Sequence, residues 1–394
     1  MIPISYNVRN LTVRKATTAA SALGLALVVF VFASVLMLSN GIKKVLGRTA
    51  SPDVAIVLRK GSGAELESSI DDSPAKLAVE SPEVAMTQGS AGGPGAKSAV
   101  GELVAVIILD KVGTDGVANV TVRGVPDNAY AFRPTMKIVA GQAPKPGTDE
   151  VAVGKAIRGR FKGLDLGGSI ELRKNRPVKV VGVFEDEGSS YESEVWSDLN
   201  TARAAFGREG LVSSVRVRLL SESKFDTYKT FIESNRQLGL SVTRETDYLA
   251  KQSEGTSIFI TALGFLIFFF FSIGAMIGAL ITMHATVANR QREIGTLRAL
   301  GFSKVAILFS FVVESTLLGL VGGLVGAGAA SLMGFVKISM MNFATFAEMV
   351  FAFEPTPGIL VLSVFVSGFM GLLGGFFPAL RASLVSPVAA MRGA

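Results

Sequence analysis

Few side chains among these 394 residues are suited to covalent chemistry. There is no cysteine, which excludes a disulfide framework, iron–sulfur clusters, thiolate metal sites and cysteine nucleophiles. A single histidine, His284, argues against a histidine-based zinc site or a Ser-His-Asp triad. The glycine-rich run Gly163-Leu-Asp-Leu-Gly167-Gly168-Ser169 lacks the lysine of a phosphate loop, and no G-x-x-x-x-G-K-S/T pattern occurs elsewhere. No catalytic, metal-ligating or cofactor-binding residue is therefore expected in this chain. What remains is the chemistry of recognition. Residues 285–303 (ATVANRQREIGTLRALGFS) set Arg290, Arg292, Glu293 and Arg298 around Ile294, Leu297 and Ala299 or Leu300 at helical spacing. Positions 290, 293, 297 and 301 share one stripe, and Gly301 supplies a C-terminal stop. A short amphipathic helix of this kind either turns the chain with basic anchors or docks into a groove of a soluble partner through its apolar residues.

The elements that hold this loop are apolar. The chain is 49% hydrophobic and 18% charged, with a mean hydropathy of +0.46, against about 25% charged residues in ordinary soluble proteins. Four stretches, 16–39, 256–284, 305–336 and 358–380, are long enough to cross a hydrocarbon core about 30 Å thick. The net charge of +7 is unevenly spread: residues 40–255 hold 29 basic and 28 acidic side chains, and the rest of the chain ten basic and four acidic. A nucleic-acid partner is not expected, because the basic excess flanks apolar segments instead of coating a folded face. Nine of those ten basic residues fall before span one, between spans two and three, or after span four. The positive-inside rule places those three regions, and both termini, in the cytoplasm. Segment 285–304 is then a cytoplasmic loop, 381–394 a cytoplasmic tail and 40–255 an extracytoplasmic domain. The short loop 337–357 opposes Lys337 with Glu348 and Glu354.

Span one exceeds the usual signal-peptide core and reads as an uncleaved anchor. Residues 1–15 mix Ile4, Tyr6, Val8, Leu11 and Val13 with basic side chains, either an amphipathic elbow along the membrane or a disordered start. Glu314 is the one ionisable residue deep in a span; it either pairs across a dimer, couples conformational states, or reaches interfacial water. Gly319, Gly322, Gly323, Gly326 and Gly328 crowd span three, and Gly274 and Gly278 form a G-x-x-x-G in span two. Such residues pack helices within one subunit or form a dimer or sliding surface. His284 is expected at the membrane interface.

The large domain mixes β-patterned runs (Asp53–Arg59, Leu103–Asp110, Ala118–Val125, Val178–Phe184) with helical patterns at Ser73–Glu80, Val151–Phe161 and Lys224–Arg236. Ser214–Leu219 alternates as a half-buried strand, and Gln88–Gly101 has the composition of a flexible loop. Its dense, balanced charges suggest a solvated face, and Trp196 with Tyr191 either core or a substrate contact. The fold class expected is a membrane protein of four transmembrane helices with a large α+β extracytoplasmic domain between helices one and two.

Arg292-Glu-Ile-Gly-Thr-Leu-Arg-Ala-Leu-Gly301 resembles the motif of bacterial ABC-transporter permeases of the macrolide-exporter, lipoprotein-releasing and FtsX-like superfamily. Ile307–Gly326 is similar to that family's third span, and Gly374-Gly-Phe-Phe-Pro-Ala-Leu-Arg-Ala-Ser383 with Pro387 and Ala390-Met-Arg392 to its C-terminus. Gly141-Gln-Ala-Pro, Asp149-Glu-Val-Ala-Val-Gly154 and Gly182-Val-Phe184 resemble its MacB-like periplasmic domain. The resemblance implies a mechanotransmission-type permease in the bacterial inner membrane, paired with a second copy or a homologous permease. A separate cytoplasmic ABC ATPase would supply ATP and magnesium, so the chain is not itself expected to be an enzyme. The contact with that ATPase would fall on Arg290, Arg292, Glu293, Ile294, Gly295, Leu297, Arg298 and Gly301. Membrane lipid, a periplasmic adaptor and an outer-membrane channel are further partners the resemblance suggests. The cargo would be a hydrophobic substrate, lipid, lipoprotein or peptide. The alternative is an FtsX-like signalling subunit that regulates a cell-wall hydrolase.

Overall fold

Apolar runs of this length satisfy their backbone groups in lipid only as helices. In the computed structural model, which describes residues 15–87, 95–343 and 345–385, four helices are long and apolar enough to cross a membrane. Span one lies in Lys15–Thr49, span two in Glu245–Asn289, span three in Lys304–Ser331 and span four in Pro357–Ser383. The segment 1–14, which holds nearly all of the expected elbow, and the tail from 386, with Pro387 and Arg392, lie outside the described residues. Helix two has 45 residues, about 67 Å at 1.5 Å per residue and roughly twice the hydrocarbon thickness. Hydropathy marks only its apolar part. The polar stretch Glu245–Gly255, expected within the domain, is already helical, and helix one likewise continues to Thr49.

The chain divides into two compact units: a helical one (up to Gly41, Ile258–Lys337 and from Ala352) and a large domain (Ile42–Ser257 with Ile338–Phe351). In the helical unit, spans three and four pack backbone to backbone. A Cβ on Gly319 would stand 2.5 Å from the Ser367 carbonyl oxygen, so only glycine permits this approach. Gly323 faces Ser367 and Val364, and Gly322 and Gly326 receive Ala22, Leu25, Ala26 and Val29 of span one. These glycines therefore pack helices within one chain. Gly274, Gly278 and Gly328 face open space.

The large domain is built on strands β1 (Val54–Arg59), β2 (Ile70–Asp71), β3 (Ala99–Asp110), β4 (Val117–Val125), β5 (Lys137–Gly141), β6 (Glu150–Gly154), β7 (Ser169–Arg173), β8 (Arg176–Glu185), β9 (Glu194–Asp198), β10 (Leu211–Val212), β11 (Ser214–Arg218) and β12 (Leu240–Arg244). One sheet runs β12-β1-β11-β3-β4-β9-β6-β8-β5, with β7 on β8 and a small β2–β10 pair apart. β3 joins its halves, pairing with β11 through residues 99–102 and with β4 through 103–110. The first half packs helices Asp72–Val79 and Phe225–Ser234 around Val57, Val217, Tyr228 and Ile232. The second half has its own core around Val122, Val153, Phe161 and Val180.

Several local expectations give way. Val151–Phe161 is not a helix: Val151 and Val153 are fully buried in β6, and Gly154 and Gly159 end any helical continuation. Ala99–Gly101 belongs to β3, and residues 88–94 of that glycine-rich stretch lie outside the described residues. β11 is not half-buried, because both its faces are covered. Residues 337–357 are more than a loop: β13 (Lys337–Met341) and β14 (Glu348–Ala352) form a hairpin. Trp196 and Tyr191 are core residues, 0% and 2% exposed.

Candidate functional site

The loop between spans two and three folds as a helix, Gln291–Ala299. Its end is a Schellman motif: the Phe302 amide donates to the Leu297 carbonyl at 3.1 Å and Gly301 to Arg298 at 3.2 Å. Gly301 holds φ +93°, which a side chain would resist. Ser303 then caps span three by accepting from the Ala306 amide. The C-terminal end of the helix and the start of span three are thus both fixed by local chemistry.

Its faces are clearly divided. Ile294 and Gly295 are buried, Ile294 against Met283, Val287, Ile307, Phe311, Ala379 and Ala382. Arg292, Glu293, Thr296, Ala299 and Leu300 are exposed, and Leu297 and Arg298 are half-buried. Ile294 consequently anchors the helix to its own spans, while Leu300, 72% exposed, is the apolar residue offered outward. Arg298 donates from Nη1 to the Phe302 carbonyl at 3.0 Å, which stiffens the turn.

Arg290, at the joint between span two and this helix, is 4% exposed. Its Nη1 lies 2.9 Å from Glu314 Oε2, its Nε 3.0 Å from Glu293 Oε2, and its guanidinium sits over the Phe311 ring. Glu314 pairs inside its own chain and is buried, 6% exposed. The pair ties the loop helix to span three, since separating two buried, mutually satisfied charges is costly. His284 is half-buried on the span-two helix.

A second assembly of charge went unread in the sequence. Arg216 (β11), Glu102 (β3), Arg123 (β4) and Glu194 (β9) alternate in sign across four neighbouring strands, all less than 9% exposed. Arg123 is bidentate to Glu194 at 2.7 and 2.8 Å. Glu102 Oε2 receives Arg123 at 2.9 Å and Arg216 at 2.7 Å, and Arg133 lies 2.7 Å from its other oxygen. Glu65 receives Arg216 at 2.7 Å and Arg123 at 3.0 Å. Glu245, the first residue of helix two, receives Arg216 Nε at 2.9 Å and the Ser51 amide at 3.0 Å. Burial alone raises the Glu65 carboxyl, but Arg123 and Arg216 outweigh it and hold it well below the ordinary carboxylate range. Glu102 is lowered as well: desolvation opposes this, and Arg133, Arg216 and Arg123 prevail. Burial pushes Tyr191 up to about 12. Glu65, Glu102 and the three arginines are thus each favoured in their charged form, and their mutual attraction fastens the neighbouring strands together.

Two family models match the chain: the MacB-like periplasmic core domain over residues 18–232 and the FtsX-like permease C-terminal region over 265–387. An uncharacterized ABC transporter permease of Methanocaldococcus jannaschii is 26% identical over 239 residues, 58% of this chain and 58% of the relative. The macrolide export ATP-binding/permease protein MacB 2 of Aeromonas hydrophila is 26% identical over 61% of this chain and 37% of its own length. Escherichia coli MacB is 28% identical over 58% of this chain and 35% of its own. The match thus spans between about a third and 58% of these relatives. Among solved structures, the periplasmic region of MacB from Actinobacillus actinomycetemcomitans covers 51% of this chain and 92% of its own at 14% identity, TM-score 0.36. The extracellular domain of the Gram-positive transporter YknZ covers 48% and 99% at 14% identity, TM-score 0.35. With one model spanning more than half of the residues and a second spanning most of the last three membrane helices, the chain belongs to the family of ABC-transporter permeases that join a MacB-like periplasmic core domain to an FtsX-like permease region.

Proposed function

We propose that the chain is the membrane subunit through which a separate cytoplasmic ATPase moves an extracytoplasmic domain, driving export or extraction of a hydrophobic substrate, lipid, lipoprotein or peptide. ATP and magnesium act on the ATPase. The observation that carries this reading is the loop helix: capped at its C-terminus, locked to span three through Arg290–Glu314, and exposing Arg292, Glu293, Thr296 and Leu300. A surface fixed this rigidly to two spans passes a push from a docked protein into the membrane. The basic flanks support a cytoplasmic position for it in a bacterial inner membrane. Span two supports pairing with a second copy or a homologous permease, because only 11% of its apolar window is buried within the chain, against 39–50% for the other spans. Gly274 and Gly278 there line an open groove of about 550 Å³. An adaptor and an outer-membrane channel would extend the route.

The test is co-purification with a candidate ABC ATPase from the same cell, followed by ATP turnover with and without Glu293→Ala/Arg298→Ala. A stable complex whose permease-dependent turnover falls in the variant supports the reading. Full stimulation and transport in the variant would refute the coupling role. The match to the FtsX-like permease region favours one second reading, a signalling subunit acting on a cell-wall hydrolase. Binding of such a hydrolase, instead of an adaptor, to the full chain would select it.

A further inference from the structure

The hairpin β13–β14 lies between spans three and four in the chain, yet residues 338–351 fold as part of the large domain. Its seat there is specific. The Val350 amide donates to Ser193 Oγ at 3.1 Å, and the Val350 side chain enters the core around Phe161. Glu348 pairs with Lys111 at 2.7 Å, Asn119 donates to the Phe346 carbonyl at 2.8 Å, and Arg160 donates to Ser339. Lys111, Asn119, Arg160 and Ser193 all belong to the second half of the sheet or its connections.

The tethers on either side are short. A turn of 3-10 helix, Leu332–Phe335, leaves one residue between span three and β13. After β14, the Glu354 amide already donates to the Met37 carbonyl at 3.0 Å, and Pro355 and Pro357 restrict the chain into span four. Residues this few extend by only about 3.5 Å each, so they hold little slack. The hairpin also closes over the buried charges: Thr345 and Met349 line a cavity of about 30 Å³ together with Arg123, Glu194, Thr49 and Leu249. That is room for about one or two ordered waters. Thr49 ends helix one, and Leu249 stands in the second turn of helix two. Helix one, helix two and the hairpin therefore each contribute a residue to the cavity beside the Arg–Glu cluster.

We propose that the hairpin is a strap that delivers displacement of spans three and four to the second half of the sheet, while spans one and two act through Thr49 and Glu245 on the buried ion cluster. The proposal rests on the permease reading above. Because the chain has no native cysteine, labels and cross-links report only where they are placed. Spin labels on Lys60→Cys and Asp165→Cys, in the two halves of the domain, are read by double electron–electron resonance in the full chain bound to its ATPase in lipid nanodiscs. A nucleotide-dependent shift in their distance is expected, and Lys111→Ala/Asn119→Ala, which loosens the strap, should lose that shift while ATP turnover continues. Retention of the shift overturns the proposal. In a separate unlabelled chain, Ser193→Cys/Val350→Cys oxidised to a disulfide should leave turnover unchanged, since strap and lobe move as one. Turnover that stops on oxidation and returns on reduction shows a strap that slides, and also overturns it. An unmodified complex that shows no shift although its turnover depends on the chain also overturns the proposal, whereas failure of the chain to bind or stimulate the ATPase removes the permease reading itself.

Discussion

Arg290 and Glu314 face each other at 2.9 Å with 5% and 8% of their side chains exposed. Removing Glu314 takes away the buried half of the Arg290 ion pairing and leaves Glu293, 56% exposed, on its other side, a loss of up to about 3 kcal/mol, whereas replacing both members of the buried pair with apolar residues is close to neutral. Glu314→Leu is therefore expected to lower the thermal unfolding temperature of the full chain in detergent, and Arg290→Met/Glu314→Leu to restore it. A double variant no more stable than the single one would show that the pair does not act as a unit. The large domain supplies a pH dependence of known sign. Glu65 and Glu102 titrate lower in the folded chain than the ordinary carboxyl near 4.3. Between those values the unfolded chain binds more protons, so stability is complete above about pH 4.3 and is lost as pH falls below it. Thermal unfolding should be flat from pH 7 to about pH 5 and drop beyond, and Glu102→Gln should flatten that drop.

Among the elements, glycine divides the spans into filled and open faces. Gly319→Ala sets a methyl against the Ser367 carbonyl and should destabilise the packing of spans three and four, whereas Gly274→Ala meets nothing within 4 Å and should be neutral or slightly stabilising. Unfolding temperatures of the two variants, measured side by side, check this; equal losses would refute the assignment. What could be read in advance follows the range of the forces involved. The loop helix was legible because its signals are local: a 3.6-residue pattern and a glycine where the left-handed turn falls. The spans were legible because lipid demands apolar length. The buried cluster was not, since Arg216 and Glu65 stand 151 positions apart and Ser-Val-Arg-Val-Arg alternates like any surface strand. Nor was the hairpin: Lys337-Ile-Ser-Met-Met and Glu348-Met-Val-Phe-Ala carry no tight-turn dipeptide between them, and their pairing is stabilised by a domain folded from earlier sequence.

For the molecule as a whole, orientation is the property everything else depends on. Single cysteines at Leu300 and Asp165, both exposed, should be labelled by a membrane-impermeant maleimide from opposite faces in oriented vesicles. Labelling of both from one face would dismantle the four-span arrangement. The sheet order has a further consequence, for biosynthesis. β1 is buried between β11 and β12, so a strand read out at residues 54–59 has no partner until residues 214–244 exist. At about 5–20 residues per second the ribosome takes roughly ten to forty seconds to supply them. Throughout that interval Val-Ala-Ile-Val-Leu waits as an unpaired, aggregation-prone edge beside a helix already entering the bilayer. A chain stalled before residue 214 therefore has no strand with which to pair β1.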